Sequence, residues 1–253
     1  HETARPTHPA IVHAGGTLTH AAFAARVRAA AAALAGQGVA RGTFVALALR
    51  DTPEHLVALF ALMRLGAVAV PVDHRWSAEE TRALCTHFAA SHILAEPDAP
   101  ETGPIRVVMP PDAPDPGRAF PVAPGGPMVL SLSSGTTGRP TGPLATHAMM
   151  RARIENQLAA LTFNQHDRHL LATPLYFGGG RAFALSHLVI GATLILNPPP
   201  YAPEALAEVA GAHRASTAFL VPTLIRRLLA LPDAALAPMR GLRLLVSSGA
   251  PLH

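Results

Sequence analysis

The chain has 253 residues, of which 49% are hydrophobic and 14% are charged, and its formal net charge is +4. This length accommodates one large domain or two small ones around a substantial core, and the small charged fraction excludes a disordered acidic or basic tail protein. All twenty basic residues are arginines scattered along the chain, so no basic stripe predicts nucleic-acid binding.

Helices and strands alternate in the first half of the chain. Pro53 fits the first turn of a helix that Gly66 would close, and Ser77 with Glu80 matches a capping box. Helices are predicted over 19–35, 52–65 and 77–89, and strands over 43–49, 67–72, 92–95 and 105–109. The stretch 110–127 is rich in proline, glycine and aspartate, which predicts a long loop or a subdomain boundary.

The second half continues the alternation. Strands are predicted over 128–132, 169–172, 192–196, 217–220 and 242–246, and helices over 148–161, 181–190, 203–212 and 223–231. The strands are continuous apolar runs, which is typical of sheets buried on both faces. The fold class predicted is α/β, with mostly parallel sheets and helices on both faces.

Several classes of site are not indicated by the sequence. The single cysteine, Cys85, cannot form an internal disulfide, so a reducing, cytoplasmic setting is expected. The most apolar stretches, 56–72 and 182–196, contain fewer than the roughly 18 uninterrupted apolar residues of a membrane span. None of the 14 histidines shows the spacing of a metal site on a convincing helix, so no metal ligand is predicted.

The segment after the strand at 128–132 carries the clearest chemistry. Four hydroxyl residues, Ser133, Ser134, Thr136 and Thr137, surround Gly135 and Gly138. Glycines let backbone amides approach an anion and hydroxyls add donors, so the loop suits a triphosphate, although a flexible Ser/Gly turn has the same composition. The loop is not a Walker A motif, since the chain has no lysine, nor a nucleophile elbow.

The order of these residues resembles the phosphate-binding signature of the adenylate-forming (AMP-binding) superfamily, which includes acyl-CoA synthetases. That signature reads S/T-S/T-G-T/S-T-G-x-P-K-G, and 133–140 with Gly142 match it. Segments 62–73, 173–178, 220–223 and 246–252 are similar to further family segments in the same order. The chain therefore resembles the N-terminal portion of the large domain, an incomplete AMP-binding domain over 1–253 without the C-terminal domain.

The resemblance assigns roles residue by residue. Three sites follow from it: ATP phosphates at Ser133, Ser134, Gly135, Thr136, Thr137, Gly138, Arg139 and Thr141; adenine at Ser248, Gly249, Ala250 and Pro251; and the acyl pocket at Tyr176, Phe177 and Gly178. His147 matches a family histidine close to the nucleotide, and its position also suits an ordinary histidine at a helix N-terminus. ATP and Mg²⁺ are the implied cosubstrate and metal, but the family's Mg²⁺ ligand and catalytic lysine have no counterpart in this chain.

Three positions depart from the family pattern. Thr141 stands where the family has the loop lysine, Phe177 where it has a histidine, and Ser248 where it has a glycine. A threonine can donate a hydrogen bond to a phosphate but cannot offset its charge, and Arg139 is the nearby cation that could compensate.

The resulting functional prediction is the N-terminal part of an ATP-dependent carboxylate-activating ligase that transfers the acyl group to coenzyme A, inactive by itself. Amino-acid-activating relatives carry Phe-Asp in the acyl pocket, where the aspartate pairs with the α-amine; this chain has Phe177-Gly178. The expected partner is thus an acid without an α-amino group, whether fatty, aryl or small organic, and fatty acid metabolism is one expected setting. The alternative is a non-catalytic homologue that binds a nucleotide or acyl group or serves as a scaffold.

Overall fold

The computed structural model describes residues 4–110, 117, 120, 123–132, 141–197 and 199–251. It divides into two units. Unit 1 comprises His1–Ala22, Asn156–Leu175 and Gly179–His253, and unit 2 comprises Phe23–Glu155 and Tyr176–Gly178. The stretch 110–127, predicted as a possible boundary, lies within the range of unit 2 and is described only in part, so that boundary stays a prediction.

The described residues form the following elements in chain order. The strands are β1 Pro9–His13, β2 Gly16–Thr19, β3 Phe44–Ala48, β4 Val68–Pro71, β5 His92–Ala95, β6 Ile105–Arg106, β7 Pro127–Leu130, β8 Leu144–Thr146, β9 Arg168–Leu171, β10 Thr193–Leu196, β11 Thr217–Leu220 and β12 Leu244–Ser247. The helices are α1 His20–Gly36, α2 Pro53–Leu65, α3 Ala78–His87, α4 His147–Leu161, α5 Gly178–Val189, α6 Pro203–Ala212, α7 Pro222–Leu229 and α8 Asp233–Leu236, followed by a 3₁₀ helix, Ala237–Gly241.

Unit 1 contains a six-stranded sheet in the order β12-β11-β9-β10-β1-β2. The pairs are parallel except for β1 with β2, which run antiparallel at one edge. Because β9, β11 and β12 are parallel, the segments that follow them leave the sheet at the same edge. This is the edge at which open α/β sheets bind ligands.

The core of unit 1 includes a hydrogen-bonded chain of two histidines and a threonine. Nδ1 of His187 donates to the carbonyl of Phe183 at 2.8 Å, so its Nε2 is the acceptor in the neutral ring. That nitrogen lies 3.3 Å from the Thr217 hydroxyl, which lies 2.9 Å from Nδ1 of His169. The two imidazoles stack at 4.1 Å. Both histidines are fully buried, so the fold holds them neutral.

Unit 2 contains a second six-stranded sheet, in the order β6-β5-β3-β4-β7-β8. Again the pairs are parallel, with β7 and β8 antiparallel at one edge. The central strands β3 and β4 carry only aliphatic and small side chains apart from Phe44, and their core cluster is built from alanine, valine, leucine and isoleucine together with Cys85.

The local signals explain most of the helix ends. Gly66 closes α2 in the left-handed conformation at φ 70°, where glycine is favoured because it has no Cβ. At α3, the Ser77 hydroxyl accepts from the Glu80 amide and the Glu80 carboxylate accepts from the Ser77 amide, which is the predicted capping box.

The predicted fold class is confirmed, and the structure differs from the predicted elements at a few places. α5 begins at Gly178 rather than at 181, and Gly180 within it packs where any side chain would collide with backbone carbonyls. β6 is shorter than predicted, and the short edge strands β2 and β8 and helix α8 were not predicted. Within the described part of the chain, no helix combines the length and apolar character that a membrane crossing requires.

Candidate functional site

The predicted phosphate loop starts and ends at the β7–β8 edge of unit 2. Leu130 of β7 pairs with Leu144 of β8, and the Ser131 amide donates to the Pro143 carbonyl at 3.1 Å. A Cβ at Gly142 would lie 3.2 Å from the Ser131 carbonyl oxygen. The absence of a side chain at Gly142 therefore lets the residues that flank the loop, Ser131 and Gly142, approach closely.

Most of the loop residues themselves lie outside the described part. These are Ser133, Ser134, Gly135, Thr136, Thr137, Gly138 and Arg139. Thr141 is described and exposed at the C-terminal base of the loop. Phosphate binding by these residues therefore stays a prediction.

His147 is the first residue of α4, directly after β8. Its amide donates to the Gly126 carbonyl at 3.1 Å, while its Nε2 is buried and has no hydrogen-bond partner among the described residues. Burial lowers the pKa of His147, so the ring is neutral at pH 7. A neutral histidine at this position can donate or accept one hydrogen bond, but it brings no charge to a phosphate.

The segment after β9 forms a tight turn in unit 1. A Cβ at Gly180 would lie 2.4 Å from the Thr173 carbonyl oxygen and 2.5 Å from that of Pro174. The Arg181 guanidinium, only 2% exposed, donates from Nη1 to the Leu175 carbonyl at 3.1 Å. The Thr173 hydroxyl donates to the Phe219 carbonyl at 3.4 Å. Glycine at 180 and a buried arginine at 181 thus fix the path of this backbone.

The predicted acyl-pocket residues Tyr176, Phe177 and Gly178 belong to unit 2. The rings of Tyr176 and Phe177 lie 4.6 Å apart at an angle of 38°, and Phe177 is 54% exposed. Sequence reasoning missed two residues beside them, Asp73 and Arg75, which follow β4. The Arg75 Nη2 atom donates to the Tyr176 hydroxyl at 2.9 Å. The sequence did offer one signal for Asp73 and Arg75: they are charged residues directly after a buried parallel strand, in a chain with few charges.

The predicted adenine segment, Ser248 to Pro251, follows β12 at the edge of the unit 1 sheet and is exposed. Gly249 has a φ of 103°, a conformation that favours glycine. Since β9 and β12 run parallel in this sheet, the segment leaves it at the same edge as Thr173. The structure therefore brings the adenine segment and the start of the acyl segment to one edge of unit 1.

The described residues do not form a site for the Mg²⁺ that the resemblance implies. No group of three or more histidine, cysteine, aspartate or glutamate side chains among them is placed to hold a metal ion. Asp73, a described carboxylate beside the acyl segment, is paired with Arg75. These residues do not fit a bound Mg²⁺.

Comparison with known proteins places the chain in a family. A family model described as AMP-binding enzyme matches residues 1–253. Feruloyl-CoA synthase of an Amycolatopsis species is 30% identical over 98% of this chain and 52% of its own length. Indoleacetate–CoA ligase of Aromatoleum aromaticum is 28% identical over 91% of this chain and 50% of its own length. The chain thus spans about half the length of the curated relatives it matches.

A solved structure shows the same fold. The inhibitor-bound N-terminal domain of FACL13 from Mycobacterium tuberculosis matches 100% of this chain and 68% of that chain, with a TM-score of 0.90 and 22% sequence identity.

Proposed function

The chain belongs to the AMP-binding enzyme family, and we propose that it forms the ATP- and acid-binding part of a ligase that activates an aromatic carboxylic acid and transfers it to coenzyme A. The observation that carries the proposal is the family match over 1–253 together with the signature at 133–142, whose flanking residues Leu130 and Leu144 pair at the β7–β8 edge.

The reaction follows from the chemistry of a carboxylate, which is a poor electrophile. A carboxylate oxygen attacks the α-phosphorus of ATP, the bond from that phosphorus to the bridging oxygen breaks, and pyrophosphate leaves. The thiol of coenzyme A then attacks the acyl carbon, and AMP leaves. In the first step the protein must position the two anions and offset their charge. The hydroxyls and amides of 133–138 and the Arg139 cation are proposed for that task.

An aromatic acid is favoured over an amino acid or a fatty acid. The curated relatives described above are named for feruloyl-CoA and indoleacetate, both aromatic. In this chain Tyr176 and Phe177 place two rings side by side, with Phe177 half exposed. An aromatic face of this kind packs well against a planar ring. The carboxylate that Tyr176 contacts, Asp73, is paired with Arg75, so it is not available to an α-amine.

The test uses the complete product of the gene that encodes this chain. It is incubated with ATP, Mg²⁺, coenzyme A and one acid at a time: hydroxycinnamic, hydroxybenzoic and indoleacetic acids, a medium-chain fatty acid and phenylalanine. Mass spectrometry then measures acyl-CoA and AMP. The proposal expects both products with at least one aromatic acid and none with phenylalanine. Products with the fatty acid alone, or with phenylalanine, would contradict it.

One observation favours a second candidate, a non-catalytic homologue. Thr141 occupies the position of the loop lysine and is exposed, so one phosphate-binding charge is missing. This alternative expects the wild-type protein to bind ATP and form no adenylate, and Thr141→Lys to leave it inactive or to create activity that the wild type lacks. Activity in the wild type would rule the alternative out.

A further inference from the structure

A compact polar cluster follows strand β4 in unit 2. Asp73 is 8% exposed and accepts from Arg75 at both carboxylate oxygens, from Nε at 2.9 Å and from Nη2 at 2.6 Å. The Arg75 amide also donates to Asp73 at 3.0 Å. A planar guanidinium matched to a carboxylate in this way is fixed in orientation as well as in position.

Tyr176 completes a closed cycle with this pair. Its hydroxyl oxygen accepts from Arg75 Nη2 at 2.9 Å, and its hydrogen is donated to the Asp73 carboxylate. Burial and the Asp73 carboxylate raise the pKa of the Tyr176 phenol. Burial acts to raise the pKa of Asp73, but the hydrogen bonds from Arg75 outweigh it and the pKa is lowered. At pH 7 the cycle therefore consists of a carboxylate, a guanidinium and a neutral phenol.

His74 is a titratable side chain that also lies beside the cycle. Its Nδ1 lies 3.9 Å from an Asp73 oxygen, and burial is the main cause that lowers its pKa. His74 is therefore neutral at pH 7, and the charge balance at Tyr176 is set by Asp73 and Arg75.

The cycle determines what Tyr176 can offer to a ligand. A phenol has one hydrogen, and here Asp73 takes it, so Tyr176 cannot donate to a substrate. What remains is its ring, held 4.6 Å from the half-exposed ring of Phe177. Without the hydroxyl anchor, the Tyr176 ring could exchange among its staggered side-chain rotamers.

We propose that Asp73 and Arg75 are positioning residues, which lock the Tyr176 ring in the orientation that an aromatic acid packs against. This inference rests on the proposed function, since it names the residues that shape the acid site of the same reaction. Arg75 acts through Tyr176 and does not itself bind the acid. Its side chain is 62% exposed, so the alternative explanation is that Arg75 contacts an anionic substrate directly. The second experiment must distinguish these two roles.

The first experiment tests the cycle without any activity. In the complete gene product, the near-ultraviolet absorbance change that is lost in Tyr176→Phe reports the ionisation of the Tyr176 phenol, and each further variant is compared with its own Tyr176→Phe counterpart. Asp73→Asn removes a nearby negative charge and should lower the pKa of Tyr176. Arg75→Ala removes a positive charge and a donor and should raise it. Arg41→Ala, at an exposed loop arginine of the same unit, should leave it unchanged. An unchanged pKa in both cluster variants would overturn the cycle.

The second experiment measures acid-dependent exchange of pyrophosphate into ATP by the complete gene product, a half-reaction that needs no coenzyme A. Arg75→Ala and Tyr176→Phe should each raise the KM for the acid about tenfold and leave the KM for ATP within about twofold. The double variant should be no worse than the more impaired single one, because both remove the same anchor. Arg75→Lys keeps the charge but not the planar fork and should restore the KM only in part.

The outcomes separate this inference from the proposed function. Additive effects in the double variant, or an Arg75 effect on coenzyme A alone, would show that Arg75 acts on a substrate directly and would overturn the positioning role. If the wild-type protein catalyses no pyrophosphate exchange with any of the acids tested, the proposed function fails and the role in acid binding fails with it. The phenol titration still decides whether the cycle exists.

Discussion

The two units have the same kind of sheet but differ in the side chains that their central strands bury. Unit 2 builds its central strands β3 and β4 from aliphatic and small residues. Unit 1 places His169, Thr193 and Thr217 on its central strands, all fully buried. An aliphatic core is insensitive to pH and tolerant of hydrophobic exchange, whereas a buried polar chain fixes one arrangement and is costly when a partner is lost. Unit 1 should therefore be more fragile than unit 2 to substitution and to acid.

The largest effect is expected at Gly180 of unit 1. In Gly180→Ala the new Cβ would meet the carbonyl oxygens of Thr173 and Pro174 at 2.4 and 2.5 Å, and backbone atoms cannot move aside as a flexible side chain can. We expect a loss of about 3 kcal/mol in the free energy of unfolding. Hydrogen exchange measured by mass spectrometry should locate the loss in unit 1. Gly178→Ala is the matched control, since nothing lies within 4 Å of its Cβ position.

A smaller loss is expected at Asp167, also in unit 1. This carboxylate, 2% exposed, accepts from Arg243, from the Asn164 amide at 2.9 Å and from the Ser216 hydroxyl at 2.8 Å. Asp167→Ala should lower the free energy of unfolding by about 2 kcal/mol. This is less than the loss expected on breaking a fully buried ion pair, because the Arg243 side chain is 37% exposed to water. Chemical denaturation measures it, with Asp98→Ala, an exposed partner of Arg50, as the control. Equal losses in the two variants would refute the account of Asp167.

The stability of the two units should depend differently on pH. Burial lowers the pKa of His187 to about 4 and lowers that of His169 well below its ordinary value, whereas the unfolded value is about 6.5. The unfolded chain therefore binds more protons between pH 6.5 and 4, so the stability of unit 1 is complete above pH 6.5 and falls as the pH drops through that window. Each histidine contributes at most about 1.4 kcal/mol per pH unit.

Variants and probes resolve this pH dependence. His187→Leu should flatten the slope, and His166→Gln, at an exposed position, should not. Burial also lowers the pKa of His8 and His20 in unit 1 and of His74 and His147 in unit 2. His74 and His147 are less deeply buried than His169 and His187, so a shallower slope is expected in unit 2. Fluorescence of Trp76, the sole tryptophan, reports unit 2. Acid unfolding of unit 2 ahead of unit 1 would reverse the comparison.

The smallest effect is expected in unit 2, at the capping box of α3. Ser77→Ala removes the hydroxyl that accepts from the Glu80 amide at 3.2 Å, and the cost of losing such a cap is about 1 kcal/mol. Hydrogen exchange of the α3 peptide should increase. Thr52, the corresponding residue of α2, makes no side-chain bond to its helix backbone, so Thr52→Ala should cost less. A larger loss at Thr52 would contradict the capping account.

Local signals predicted most of this fold. The capping box at Ser77, the left-handed Gly66 and the apolar runs of β3 and β4 act within a few residues, so the sequence alone reveals them. Helix α5 was placed three residues late because the glycines at 178–180 are typical of a loop. Their role depends on carbonyls of the preceding turn, which only the tertiary structure brings close. The edge strands β2 and β8 are too short to show a period.

The candidate site was predictable only where the chemistry lies in one contiguous motif. The signature at 133–142 is such a motif, although most of it lies outside the described residues. Tyr176 could be named from its segment, but its partners Asp73 and Arg75 are about one hundred residues away in the chain, and no local pattern links them. The histidine chain of unit 1 was missed for the same reason, since its members come from β9, β11 and α5.

Acid-dependent exchange of labelled pyrophosphate into ATP by the complete gene product tests most directly whether this chain belongs to a carboxylate-activating ligase. We predict exchange that requires both Mg²⁺-ATP and an aromatic acid and that is absent with either one alone. A protein that binds ATP yet gives no exchange with any carboxylic acid would contradict it, and would favour the non-catalytic homologue that Thr141 suggests.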